Sequence, residues 1–142
     1  MPKKLNCILL IDDDEATNFL SNLILEEVAA AHHVKTKQTA RAALNYIADS
    51  AHLEGKMNTL PYPDLIFFDL NMPAMDGWEF LQRYEALPEA QKSSIIVVML
   101  TTSFNPEDEL KARKIDAVKE FRNKPLTSVL LRDILKKYFP DR

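Results

Sequence analysis

The sequence predicts an α/β fold, a doubly wound parallel sheet of five strands with helices on both faces, and three observations carry that expectation. Short β-branched and aliphatic runs alternate with segments of helical period through five rounds, the pattern of βαβ units. Three of those runs, at 5–11, 65–68 and 95–100, are nearly unbroken in apolar residues, as strands buried on both faces are. The length of 142 residues fits one domain. A single domain over 1–142 with no output domain is therefore expected.

The first strand is Leu5–Ile11. In the helix that follows, the three- and four-residue spacing of Ala16, Leu20, Leu23, Ile24 and Val28 sets them on one inward face. The second strand, 33–37, alternates Val34 and Thr36 with lysines and belongs at a sheet edge, where charge deters further pairing. Thr39 caps a helix to about residue 49 that buries Ala40, Ala43, Leu44 and Ile47. From 49 to 63 the chain is polar, with Gly55, Asn58, Pro61 and Pro63, and reads as a long surface loop.

The third strand, 65–68, ends at Asp69, and the fourth, 95–100, ends at Thr101. The helix between them takes Asp76 as N-cap, with Glu79 completing a capping-box pattern and Trp78, Leu81, Tyr84 and Leu87 available for packing. Asn105-Pro106 forms the N-cap and first-turn proline of a fourth helix. A weaker fifth strand, 117–121, precedes Lys124-Pro125, and Thr127 opens a last helix burying Leu130, Leu131, Ile134 and Leu135.

Composition excludes several classes. Hydrophobic residues make up 46% and charged residues 27%, ordinary soluble usage, and no stretch reaches the ~18 apolar residues of a membrane span. A net charge of −3 argues against a nucleic-acid surface. The single cysteine, Cys7, makes no internal disulfide and reads as a small buried hydrophobe, and His32, His33 and His52 are dispersed surface residues with no zinc-ligand spacing. A cytoplasmic location is expected.

In an open α/β sheet the ligand site lies beyond the carboxyl ends of the strands, where strand order reverses. There the first strand places Asp12, Asp13 and Asp14, the third Asp69, the fourth Thr101 and Thr102, and the fifth Lys124. If these strands are neighbours the side chains converge. Gathered carboxylates repel unless protons or a cation intervene, and a set of few oxygen ligands suits Mg2+. One carboxylate is then available as a nucleophile toward phosphorus, with a lysine and a hydroxyl to receive the phosphoryl oxygens. Taken singly, each group has a plainer role: a solvated turn with Asp14 as helix cap, a strand-end cap at Asp69, a strand-end hydroxyl at Thr101, a surface charge at Lys124, a core ring at Phe121. Their joint occurrence, in order, is what favours a phosphoryl-transfer site.

The stretches Ile8-Leu9-Leu10-Ile11-Asp12-Asp13-Asp14, Pro63-Asp64-Leu65-Ile66-Phe67-Phe68-Asp69-Leu70-Asn71-Met72-Pro73-Ala74-Met75-Asp76-Gly77, Val97-Val98-Met99-Leu100-Thr101 and Asn123-Lys124-Pro125 fall in the order of a known family. The chain resembles a response-regulator receiver domain of the single-domain, chemotaxis-regulator kind, over essentially its whole length. The resemblance implies a flavodoxin-like strand order 2-1-3-4-5. It implies Asp69 as phosphoacceptor, Asp13 as a direct magnesium ligand, Asp12 as an acid acting mainly through water, and the Asn71 carbonyl as a further ligand. Thr101 and Lys124 would meet the phosphoryl group, and Phe121 would be the aromatic switch. The implied donor is a sensor histidine kinase or a phosphotransfer protein. The implied output is a changed protein-binding surface on helix four, strand five and helix five, from a signalling protein that assists its own phosphorylation and slow dephosphorylation.

Departures from the family pattern are Glu120 where a glycine commonly precedes the aromatic, phenylalanine at 121, and Thr102 where a small alanine is common. Asn71 and Ser103 would flank the phosphoryl group and tune its lifetime. Lys111, Arg113, Lys114 and Lys119 form a charged face bordering the implied output surface, while Trp78 and Tyr84 read as packing. A pseudo-receiver acting as a docking module is the alternative, and the intact Asp12, Asp13, Asp69, Thr101 and Lys124 set speaks against it. An unrelated nucleotide or flavin binder lacks its glycine-rich loop in a chain with two glycines.

Overall fold

A computed structural model describes residues 4–51, 60–70, 77–92, 95–102 and 105–140. Strands β1 (Leu5–Ile11), β2 (Ala31–Lys37), β3 (Leu65–Asp69), β4 (Ile96–Thr101) and β5 (Val118–Asn123) pair in parallel in the order β2-β1-β3-β4-β5. This is the expected 2-1-3-4-5 order. Helices α1 (Glu15–Val28), α2 (Ala40–Ser50), α3 (Gly77–Glu85), α4 (Pro106–Arg113) and α5 (Ser128–Tyr138) complete the alternation. The chain steps from β1 outward to β2 and then back across β1 to β3, so the order reverses between β1 and β3.

Apolar side chains cover both faces of the sheet, which is why all five residues of β3 are buried. On one face Leu9, Ile11, Ile66, Phe68 and Met99 meet α2, α3 and Ala112 of α4. Phe80 of α3 is fully buried there, its ring centroid 5.2 Å from that of Phe68. Burial of such a ring contributes about 1.5–3 kcal/mol. On the opposite face Ile8, Leu10, Phe67, Val98 and Leu100 pack against Leu25 of α1 and the expected Leu130, Leu131, Ile134 and Leu135 of α5. Thr39, Asn105 and Thr127 cap their helices as anticipated, accepting from the amides of Ala42 at 3.1 Å, Glu107 at 3.0 Å and Leu130 at 3.1 Å. The Asp76 cap, like Gly55 and Asn58 of the long loop and the surface assignment of His52, lies outside the described residues.

Four differences from expectation have physical reasons. β2 begins at Ala31 rather than His33, because α1 stops abruptly: Ala29 takes a left-handed φ of 55°, its amide donates to Glu26 O, and the chain enters the sheet edge at once. β5 runs to Asn123 instead of ending at Phe121, held by Leu100↔Arg122 and Thr101↔Asn123 pairing. A short 3-10 turn at Glu89–Gln91 precedes β4. The largest difference is the face of α1: Asn18, Ser21 and Leu25 point inward, Ile24 and Val28 are partly buried, Ala16 is exposed, and Leu20 and Leu23 are 61% and 46% exposed.

One irregularity interrupts the β4–β5 ladder. Val97 pairs with Val118 but Val98 pairs with Glu120, so Lys119 is an extra residue on the edge strand. Beyond that bulge Phe121 opposes Met99 and packs in the α3–α4 layer, while Glu120 faces α5.

Candidate functional site

The pairing Ile11↔Phe68 carries β1 and β3 to their carboxyl ends side by side, which sets Asp12 beside Asp69. Both are buried, Asp13 is exposed, and one carboxylate oxygen from each of the three lies within 4.8 Å of the others. Asp12 is fixed on every side: its amide donates to Lys37 O at 3.1 Å, its carbonyl accepts from Asn18 Nδ2 at 2.8 Å, and its Oδ1 accepts from the Asp14 amide at 2.9 Å. Asp14 takes the plainer role. Its carboxylate caps α1 by accepting from the Ala16 amide at 3.1 Å and the Thr17 hydroxyl at 2.7 Å, and the Thr17 bond holds its pKa below the ordinary value.

Lys124 arrives from the end of β5, its amide bonded to the Thr101 carbonyl at 2.9 Å. Its ammonium donates to Asp12 and lies 3.3 Å from Asp69. Burial alone would lower the lysine pKa, but the Asp12 hydrogen bond and the Asp69 charge together raise it. One half-buried cation thus faces two buried carboxylates, and with Asp13 added the cluster keeps an excess of negative charge.

Thr101 is fully buried on β4, one residue beyond Leu100, the register partner of Asp69. Phe121 opposes Met99, which shares a sheet face with Thr101, so hydroxyl and ring occupy neighbouring positions on that face. Phe121 is partly buried against the cluster that includes Met99 and Ala112. Asp12, Asp13, Asp69 and Lys124 are therefore brought together, with Thr101 at the adjoining strand end. Asn71 and Ser103 lie outside the described residues.

Sequence reasoning missed Thr17, Asn18 and Ser21, which line a cavity with Asp12, Asp69 and Lys124. Their signal was present in the chain: Asn18, Ser21 and Leu25 share a helical stripe. The apolar stripe beside it is the one that periodicity favoured.

The donor set suits a hard divalent cation. It is all oxygen, it carries surplus negative charge, and exposed Asp13 leaves an open side for water ligands. Among the described residues no helix is long and apolar enough to cross a membrane.

A family model described as the response regulator receiver domain matches residues 8–136. The response regulator Rcp1 of Synechocystis is 31% identical over 108 residues, 76% of this chain and 69% of that protein. Among solved structures, a two-component response regulator from Cytophaga hutchinsonii superposes with a TM-score of 0.84 at 30% identity, covering 97% of this chain and 99% of that one. The phosphorylated cyanobacterial phytochrome response regulator RcpA superposes with a TM-score of 0.73 at 28% identity, covering 94% of each chain.

Proposed function

The chain belongs to the response regulator receiver domain family, and from that premise we propose that it is the phosphoacceptor of a two-component relay, switched by magnesium-dependent phosphorylation of Asp69. The observation that carries this reading is the convergence of Asp12, Asp13 and Asp69 within 4.8 Å, with Lys124 bridging Asp12 and Asp69. A structural neighbour described as phosphorylated supports it.

In the proposed reaction an Asp69 carboxylate oxygen forms a bond to phosphorus as the bond from phosphorus to the donor breaks. The donor leaves with the electron pair, which for a phosphohistidine restores a neutral imidazole once a proton is taken up. Asp12, Asp13, Asp69 and the Asn71 carbonyl would hold Mg2+, which supplies charge neutralisation at the phosphoryl oxygens. Lys124 follows the charge: once Asp69 carries the phosphoryl group, the ammonium pairs with its oxygens, and Thr101 donates a hydroxyl proton to another. Thr101 moving toward the phosphoryl group vacates volume beside Phe121, and the ring fills it. Repacking at Phe121 alters the surface of α4, β5 and α5, where an effector protein docks.

A sensor histidine kinase or a phosphotransfer protein is the proposed donor. The mouth of the site suits a protein donor, because the exposed apolar residues Leu20 and Leu23 of α1 flank it with Thr102 and Pro125.

Incubation with acetyl phosphate and magnesium, read by intact mass, tests the reading. One phosphoryl adduct in the wild type and none in Asp69→Asn is expected. An equal adduct in Asp69→Asn removes that residue from the role.

A further inference from the structure

The small cavity between α1 and the acid cluster measures about 20 Å3, room for one water molecule. Phe67 and Leu100 contribute apolar wall, and Asp12, Asn18, Ser21 and Lys124 contribute polar groups. Three of those groups keep hydrogen-bonding capacity unspent. Asn18 and Ser21, on one stripe of α1, are 7% and 9% exposed, so both are at least nine-tenths buried. A carbonyl only accepts, so the Asn18 group 2.8 Å from the Asp12 carbonyl is the amino nitrogen Nδ2. Oδ1 is then left as an acceptor without a donor among the described residues, and among them the Ser21 hydroxyl makes no hydrogen bond. The Lys124 ammonium has three protons. One donates to Asp12, and Asp69 at 3.3 Å offers an acceptor for a second.

One donor and two acceptors around a space of this size define the ligand by chemistry. The ammonium repels a cation from the cavity, and the two carboxylates repel an anion, so a neutral ligand is selected. A water molecule completes the set. Its oxygen accepts from Lys124, and its two protons donate to Asn18 Oδ1 and Ser21 Oγ, three bonds in all, the usual number for a buried water. Buried polar groups left unpaired are costly, and this arrangement leaves none of the three unpaired.

We propose that the cavity is a built water site, through which Asn18 and Ser21 act as positioning residues for Lys124. The water fixes the ammonium from a third direction, between Asp12 and Asp69, where it awaits the phosphoryl oxygens; placement of a charged group at a reacting centre tolerates little drift. This rests on the receiver reading and assigns a part in its chemistry to the polar stripe of α1.

A high-resolution crystal structure of the magnesium-free protein is expected to show one ordered water about 3 Å from Lys124 Nζ, Asn18 Oδ1 and Ser21 Oγ. In Ser21→Val the hydroxyl is lost and the added methyl fills the space. That variant is expected to lack the water and to form the acetyl phosphate adduct about fivefold more slowly at saturating magnesium, the change that one lost hydrogen bond produces. Ser21→Ala, which adds no bulk, is expected to slow in the same direction and is the variant read if valine prevents folding. Ser21→Thr keeps the hydroxyl and is expected to keep the water and a rate within about twofold of wild type. Ser50→Ala removes another fully buried serine hydroxyl, on α2, and is expected to leave the rate unchanged. No water bonded to Lys124 in the wild type, wild-type rates in the folded Ser21→Val and Ser21→Ala variants, or equal slowing in Ser50→Ala overturns the proposal. An adduct in a wild type without the water leaves the receiver reading standing and removes the site. The water in a wild type that forms no adduct removes the receiver reading and, with it, the positioning role.

Discussion

Lys124 stands between Asp12 and Asp69, hydrogen-bonded to the first and 3.3 Å from the second, with all three side chains largely buried. The ammonium therefore offsets the charge of both carboxylates at once. Lys124→Met leaves two buried carboxylates without their cation, a loss expected to destabilise the fold by about 3 kcal/mol in magnesium-free buffer. Magnesium is expected to restore more stability to this variant than to the wild type. Urea unfolding with and without magnesium measures both, and equal magnesium effects in the two proteins contradict the bridging role.

Thr101 is fully buried next to Phe121's place on the sheet. Thr101→Ala is expected to keep the acetyl phosphate adduct, since the carboxylate nucleophile is untouched. The variant is expected to lose most of the phosphorylation-dependent shift of the Phe121 amide. A shift of wild-type size in Thr101→Ala means that the hydroxyl does not transmit the change.

Gly77 begins α3 against the backbone of Asp69 and Leu70 at the end of β3. A Cβ there would lie 2.7 Å from Leu70 Cα and 3.2 Å from the Asp69 carbonyl oxygen, both backbone atoms with little freedom to yield. Gly77→Ala is expected to cost about 2 kcal/mol in urea unfolding and to slow adduct formation, because relief must come from displacing Asp69. Wild-type stability and adduct rate in this variant would show that the contact relaxes harmlessly.

Glu120 sits where burial would raise its pKa, but the Lys137 and Tyr138 hydrogen bonds and the charges of Lys137 and Arg122 lower it below its ordinary 4.5. A carboxyl depressed in the folded state stabilises above its unfolded pKa, and that contribution is lost as pH falls through the folded value. Glu120→Gln is therefore expected to cost on the order of 1 kcal/mol at neutral pH. The gap to the wild type is expected to close below about pH 4.5. A gap independent of pH would assign the effect to packing.

Strand identity and the inward face of α5 were legible because unbroken apolar runs and capping residues have few alternative readings, whereas strand order came from the family resemblance alone. The acids and Lys124 were legible for a different reason: strand ends are the places where a parallel sheet gathers side chains. The face of α1 was not. Its apolar residues fit the helical period on two neighbouring stripes, and the choice was made by Asn18, whose amide is needed at the Asp12 carbonyl, a partner 6 residues earlier that periodicity cannot see. The inward stripe is polar near the site and apolar at Leu25, so the helix satisfies the loop at one end and the core at the other.

The extra residue at Lys119 has a bearing on ancestry and engineering. In a strand of period two an extra residue exchanges the two sides for everything downstream, so the same sequence paired without the bulge would have aimed Glu120 at α4 and Phe121 at α5. Which side receives the ring and which the carboxylate is thus settled by strand length as much as by residue identity. Deleting Lys119 would leave Glu120 opposite Val98 and Phe121 opposite Met99 in an unbroken ladder, whereas closing the bulge with Lys119 retained would turn both side chains over.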